Sequence, residues 1–244
     1  MCWRVRDAEI VAELETLIEN RPSRGFWKCR KLLRRRGKPW NHKRIYRVYK
    51  LMNLHLRRKA KQRLPKRVRA PLYVPALPDT VWSADFMADA LACGRRFRTF
   101  NVVDDFNREA IHIEIDTSIT SSRLIRIFER IQKDHGLPQL LRTDNGPEFL
   151  GEQFMQWAAQ EGMAIQYIQP GKPNQNAYVE RFNRTYREEL LDQHLFRSLD
   201  DVREATYWWM LEYNEERPHD SLGDLTPAEM RAQVAGNSTF ELSP

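Results

Sequence analysis

Cysteine is scarce: the 244 residues hold 3, Cys2, Cys29 and Cys93, and no two stand in a paired spacing. That argues against a disulfide framework or a cysteine-based zinc site and fits a reducing cytoplasm. Long apolar runs are missing too. None approaches the ~18 residues of a membrane span, and the opening MCWRVRDAEI lacks the apolar stretch of a signal peptide. Neither an internal repeat nor a low-complexity tract occurs. These absences predict a cytoplasmic protein with no membrane partner. The length allows one substantial core beside a small second domain or an extended arm.

Acidic residues are sparse at one end. Residues 1–70 hold 23 Lys+Arg against 5 Asp+Glu, a net of +18, whereas residues 71–244 hold 17 against 28, a net of −11. The formal net charge of +7 therefore hides a basic arm joined to an acidic body. Such density favours a polyanionic partner, most often nucleic acid, over an ordinary solvated basic surface.

Residues 6–20 have the spacing of an amphipathic helix, with Ile10, Leu14, Leu17 and Ile18 on one side. Pro22 follows. Residues 26–36 predict a second helix, stopped by Gly37 and Pro39, and Asn41 is placed to cap a third, HKRIYRVYKLMNL, with Ile45, Val48, Tyr49 and Met52 inward. Three short helices with a basic last one fit a helix-turn-helix-like unit or a generic three-helix bundle. Residues 55–71 have little apolar periodicity and predict an extended basic linker that tracks phosphates.

Beyond Pro71 the pattern changes. VWSADFMADAL alternates Trp82, Ala84 and Phe86 against Ser83 and Asp85, as a strand does. RFRTFNVVDDF gives a second strand. EAIHIEIDT gives a third, with Ile111, Ile113 and Ile115 on one face and His112, Glu114 and Asp116 on the other. The tight connections predict an antiparallel meander. A helix follows over 121–136, then a strand QLLRT, a helix at about 147–161, a strand AIQYIQ, and a helix AYVERFNRTYREELLD after the loop PGKPNQN. Some residues have plain structural readings. Asp104 and Asp105 suit a turn after the second strand, as Asp89 suits the first hairpin. His112 and His135 suit a surface or helix end, and His219 a turn. Thr226, Pro227 and Glu229 form a capping box. Trp208 and Trp209 are expected to pack the last long helix.

RTDNGPEF raises a sharper question, because Asp-Asn-Gly is good turn chemistry and yet puts a carboxylate at a strand end. Asp85 stands in the first strand, Asp144 ends the fourth, and Glu180 lies early in the helix after the fifth, with 35 residues between the last two. Three carboxylates on such elements suit hard divalent cations, and two ions suit phosphodiester displacement. Any one of them alone reads as a surface charge or a cap. On the Glu180 helix, Val179, Phe182, Tyr186 and Leu190 form one stripe, and Asn176, Glu180, Arg184 and Arg187 share a neighbouring face. A simple Glu180–Arg184 surface pair is the plainer alternative there.

These residues resemble the catalytic subunit of bacterial insertion-sequence transposases, the kind encoded by a second, downstream reading frame, which shares its core with retroviral integrases. WSADF, RTDNGPEF, PGKPNQNAYVERFNRTYREEL and YNEERPHDSLGDLTPAEM carry the likeness, over about residues 20–232. The resemblance implies an α/β ribonuclease H-like fold, a mixed five-stranded sheet flanked by helices, with an N-terminal helical, basic DNA-binding arm. The implied division is a helix-turn-helix-like domain over 1–54, a basic linker over 55–75, an integrase-type catalytic core over 76–192 and a C-terminal helical extension over 193–244. It further implies Asp85, Asp144 and Glu180 as catalytic residues and metal ligands. They would hold two Mg²⁺, with Mn²⁺ able to substitute, and Asp85 would bridge the ions.

The implied activity is DNA strand cleavage and strand transfer. The implied partners are terminal inverted repeats and target DNA, further copies of the chain, and an upstream-frame protein or a frameshifted fusion with it. The location would be the cytoplasm, at the bacterial nucleoid. Candidate DNA contacts are Lys172, Asn174, Gln175 and Asn176 in the polar loop, where Asn174 or Asn176 would alternatively cap the helix. Arg184 joins them, as does Arg187, which fills the basic position seven residues after the Glu. In the arm the candidates are Lys43, Arg44, Arg47, Arg57, Arg58, Lys59, Lys61 and Arg63. Two rivals stand beside this reading: a ribonuclease H-like metal nuclease or junction resolvase without strand transfer, and a DNA-binding repressor or defective remnant.

Overall fold

The computed structural model describes residues 6–55, 73–169 and 173–238. The chain divides into two compact units, Met1–Val68 and Arg69–Pro244. In the first, α1 (Ala8–Asn20), α2 (Phe26–Arg35) and α3 (His42–Leu51) enclose a small core. Ile10, Leu14 and Leu17 of α1 meet Cys29 and Leu33 of α2 and Ile45, Val48 and Tyr49 of α3, all buried. Ile18 and Met52 close its edge, partly buried. Asn41 caps α3, its side chain accepting from the Lys43 amide at 2.9 Å. The helix stops at Leu51, earlier than its periodicity predicts, because Asn53 turns left-handed with φ +57°, a conformation asparagine tolerates better than most residues. The expected linker falls almost wholly on residues 56–72, outside the described ones.

The second unit is built on one five-stranded sheet of order β3-β2-β1-β4-β5. Strands β1 (Val81–Ala90), β2 (Arg96–Asp104) and β3 (Ala110–Asp116) form the antiparallel meander. Strands β4 (Leu140–Thr143) and β5 (Ala164–Tyr167) add in parallel beside β1. Helix α4 (Ser121–His135) leads into β4 and is followed by α5 (Pro147–Leu150), α6 (Glu152–Gln160), α7 (Ala177–Glu189), α8 (Leu199–Glu215) and α9 (Pro227–Ser238). One core packs Trp82, Ala84 and Phe100 of the sheet against Phe128, Phe149 and Phe154 of α4–α6. The other packs Phe97, Ile113 and Ile115 against Phe182 and Tyr186 of α7 and Trp209 and Tyr213 of α8. Helix α8 is thus part of the core on that side. Among the described residues no helix is long and apolar enough to cross a membrane.

Four expectations change. The helix foreseen over 147–161 is two helices, α5 and α6, hinged at Gly151. A Cβ at Gly151 would lie 2.2 Å from Ser121 Oγ, so glycine permits the start of α4 to press close. Ile111 does not share the face of Ile113 and Ile115. A register shift opposite Val102 and Val103 turns it into the other core, as a bulge does when it inserts one residue. Asp104 and Asp105 are fully buried. Asp104 does shape the turn, accepting from the Phe106 amide at 2.7 Å, but Asp105 takes a 2.6 Å bond from Arg142 of β4 and another of 2.6 Å from Ser83 of β1. Trp209 is buried but its neighbour Trp208 is 61 % exposed, because adjacent helical residues point about 100° apart and cannot both join one stripe.

Candidate active site

Alternation along β1 sends Trp82, Ala84 and Phe86 into the core beneath α4–α6, so Ser83, Asp85 and Met87 point to the α7 side. The parallel ladder pairs Ser83 with Arg142. Two residues further along the chain come Asp85, still within β1, and Asp144, just past the end of β4, and the Asp144 charge acts on Asp85. Below them, the buried Ser83–Asp105–Arg142 cluster ties β1 to β4 and sets that alignment. Glu180 projects from the first turn of α7 and is exposed.

The Asp85 carboxylate is held on both oxygens. Its Oδ1 accepts from the Phe86 amide at 2.8 Å and its Oδ2 from the Asn183 side-chain amide at 2.8 Å. Asn183 in turn accepts from Asn101 Nδ2 at 2.7 Å, and Asn101 is the β2 partner directly opposite Asp85. The ionised Asp85 carboxylate can only accept, so the Asn183 NH₂ faces it and Asn183 Oδ1 is left to take the Asn101 donation. Burial pushes the Asp85 carboxyl up to about 6, and the charges of Asp144 and Glu180 add to the rise, while the two hydrogen bonds restrain it. The three carboxylates therefore share one electrostatic neighbourhood, and among the described residues no cation bonds Asp85.

Asp144 stands one residue past β4, its Oδ1 accepting from the Gly146 amide at 3.0 Å. A Cβ at Gly146 would lie 3.0 Å from Asp144 Oδ1 and 3.1 Å from Glu148 Oε2, so the glycine leaves room for both carboxylates. Glu148 is a fourth acid beside the site, but it forms an ion pair with Arg98, whose guanidinium lies 4.3 Å from the Phe86 ring centre. Glu114 carries a similar tie deeper in the fold. It is nearly buried and bonded by Arg123 at 2.8 Å and Arg130 at 2.7 Å, with His112 at 3.1 Å. Burial alone would raise the Glu114 carboxyl, but His112, Arg123 and Arg130 bring it down to about 2.

The other candidates separate by environment. Asn176 is buried at 3 % and donates to the Ala84 carbonyl at 3.3 Å. It stands at the N-cap position of α7 without a side-chain cap bond, its Nδ2 turned to β1 and its Oδ1 without a hydrogen-bond partner among the described residues. Gln175 accepts from the Gln169 amide at 2.8 Å and so braces the loop. Arg187 donates to Asp89 at 3.1 Å and to the Ala88 carbonyl at 2.9 Å, pinning α7 to β1. Arg184 is exposed, and its side chain makes no hydrogen bond or ion pair with a described residue. In the first unit Lys43 is exposed, whereas Arg44 and Arg47 bond the buried Asp7 at 2.8 and 2.7 Å. Lys172, Arg57, Arg58, Lys59, Lys61 and Arg63, and the side chain of Asn174, lie outside the described residues. Asn183, Asn101 and Glu148 are the neighbours that sequence reasoning passes over. Only Asn183 carries a signal, three residues after Glu180 and hence on the same side of α7.

Residues 75–173 and 161–227 each match a family model described as an integrase core domain. An insertion element IS407 uncharacterized 31.7 kDa protein of Burkholderia multivorans is 41 % identical over 224 residues, covering 92 % of this chain and 81 % of the relative. An insertion element IS476 uncharacterized 39.2 kDa protein of Xanthomonas euvesicatoria is 38 % identical over 231 residues, covering 93 % of this chain and 67 % of the relative. Among solved structures, the HTLV-2 integrase catalytic core domain in complex with magnesium superposes with a TM-score of 0.53 at 21 % identity, over 64 % of this chain and 98 % of that one. That likeness shows the ribonuclease H-like fold.

Proposed function

The chain belongs to the integrase core domain family of bacterial insertion-element proteins, and from that premise we propose that Asp85, Asp144 and Glu180 are the catalytic carboxylates of a transposase that cleaves and joins DNA at the ends of its element. The observation that carries the reading is that the charges of Asp144, just past a strand paired in parallel with β1, and of Glu180 both act on Asp85.

Among the described residues no group of three His, Cys, Asp or Glu side chains already stands close enough to hold an ion. The donor set is nevertheless of one chemical kind: carboxylate oxygen, with no thiolate or imidazole, which fits Mg²⁺ or Mn²⁺. Asp85, Asp144 and Glu180 would hold two such ions. When bound, they supply Lewis acidity to the phosphodiester and stabilise charge on its attacking and leaving oxygens.

The protein's own groups do the rest. The Asn101–Asn183 relay and the Phe86 amide keep Asp85 from rotating, and the Gly146 amide does the same for Asp144. Side chains already held in one orientation have less to reorganise when an ion and DNA arrive. Arg184, exposed one turn beyond Glu180, would meet a DNA phosphate. Water attacks a phosphodiester at the element's end and frees a 3′-hydroxyl, which then attacks a second phosphodiester in the same site. Two element ends call for more than one copy of the chain, and an upstream-frame protein would add end recognition, with the assembly at the bacterial nucleoid.

Labelled end DNA incubated with Mg²⁺, with and without target DNA, tests the reading. The expected result is end cleavage in both and joined product only with target. Cleavage without joining would leave a nuclease, and a gel shift without cleavage would leave a repressor.

A further inference from the structure

The α2–α3 corner of the first unit holds a cavity of about 490 Å³ lined by Arg30, Arg34, Gly37, Lys38, Pro39, Trp40, Asn41 and His42. Among the described residues no carboxylate lines it. Gly37, with φ +72°, turns the chain there so that Trp40 forms one wall. The cations at this corner differ in how they are occupied. Lys38 bonds Glu9 at 2.9 Å and Glu13 at 3.1 Å, and Arg36 bonds Glu13 at 3.1 Å. The acids of α1 therefore neutralise those two. The side chains of Arg30 and Arg34 make no hydrogen bond or ion pair with any described residue. Arg30 lies 5.6 Å from the Trp27 ring centre, a cation–π contact that leaves its donors open.

We propose that this corner is where the first unit grips DNA, with Arg30 and Arg34 each taking a backbone phosphate of one strand at the mouth of the cavity. The two stand one helical turn apart, about 5–6 Å between Cβ atoms, a spacing that successive phosphates can span. The planar guanidinium fork suits phosphate better than an ammonium does. The neighbouring arginines of α3 are poorer candidates, because Arg44 and Arg47 are engaged by the buried Asp7. Phosphate contacts carry no sequence information, so the corner supplies affinity common to end DNA and any other duplex. The identity of the polyanion rests on the transposase reading; the site itself rests on the cavity and its two open cations.

The test is equilibrium binding of the full chain to a duplex of the element's end and to an unrelated duplex, across a salt series in chelator. Arg30→Gln with Arg34→Gln should lower the slope of log K against log[salt] by about 2, since each phosphate contributes about 0.9. That corresponds to roughly 10- to 100-fold weaker binding near 0.1 M salt, equal on both duplexes. Arg34→Glu alone, at an exposed position, should lower the slope by at least about 1 and replaces the double variant if that fails to fold. Arg44→Gln with Arg47→Gln should lower thermal stability and change the slope less. An unchanged slope in the corner variants, or a larger loss in the Arg44 and Arg47 pair, overturns the proposal. A wild-type chain that fails to cleave end DNA defeats the transposase reading instead, while a slope loss in the corner variants would still support the site.

Discussion

In the three-helix unit the buried carboxylate of Asp7 meets Arg44 and Arg47 at 2.8 and 2.7 Å. In the sheet unit the half-buried carboxylate of Asp85 meets the Asn183 amide at 2.8 Å and, where a cation would stand, the charges of Asp144 and Glu180. Burial raises both carboxyls. At Asp7 the Arg44 hydrogen bond and the charges of Arg47, Arg44 and Arg6 more than offset it, and the group is held below its ordinary range. At Asp85 the added charges are negative, and the group rises to about 6. An acid matched by protein cations is a fastening. Asp85 instead feels two further carboxylate charges, and among the described residues no cation bonds it, an arrangement that suits the proposed metal site.

Replacing one of the clustered acids should have the largest effect. Asp144→Asn keeps the shape and removes an anionic ligand, so cleavage and transfer should fall by about a thousandfold or more, equivalent to upwards of 4 kcal/mol in the transition state. Circular dichroism and melting temperature should barely move. A purified variant that cleaves near the wild-type rate in Mg²⁺ would end the comparison.

The fastening type is tested at Glu114. Glu114→Gln leaves Arg123 and Arg130 without their anion, and unfolding free energy should fall by about 2–4 kcal/mol. The pH dependence follows from its direction. With the folded carboxyl at about 2 and the unfolded one near its ordinary value, the wild-type contribution is present above about pH 4.5 and lost as pH falls towards 2. The variant's denaturation curves should lack that loss, and identical acid limbs in the two proteins would contradict the assignment.

Asp85 should behave in the opposite sense. Its folded carboxyl lies near 6, above the unfolded value of about 4, so its charge costs stability as pH rises through that window. In chelator at pH 7–8, Asp85→Asn should be more stable than wild type by about 1–3 kcal/mol. Mg²⁺ should raise the wild-type melting temperature and leave the variant's unchanged. A variant less stable than wild type in chelator, or one that still responds to Mg²⁺, would place Asp85 among the fastenings.

Glu180 is exposed and its field is screened, so its effect on binding should be small. Glu180→Gln should abolish cleavage, yet bind end DNA about two- to threefold more tightly in chelator, because one of three charges repelling the phosphate is gone. Weaker binding in chelator would break the charge argument.

Residue spacing alone carries the element order of the sheet unit, the meander, and the placing of Asp85 on the first strand, Asp144 just past the fourth and Glu180 on a helix. It also carries the three-helix unit, the Asn41 cap and the Thr226–Glu229 capping box, whose two bonds measure 2.8 and 3.2 Å. Those features are local: each depends on which residues share one face of one element. Tertiary structure decided what covers each face. It turned Ile111 into the opposite core through a bulge, and it broke the helix at Gly151 to admit Ser121. Asn176 was drawn under β1 while Trp208 stayed in solvent. Asp85 found Asn183 and Asn101, from elements far away in sequence. Spacing fixes direction within an element, whereas the partner of a buried polar group is chosen by long-range packing, and so the relay that orients Asp85 exists only in the folded chain.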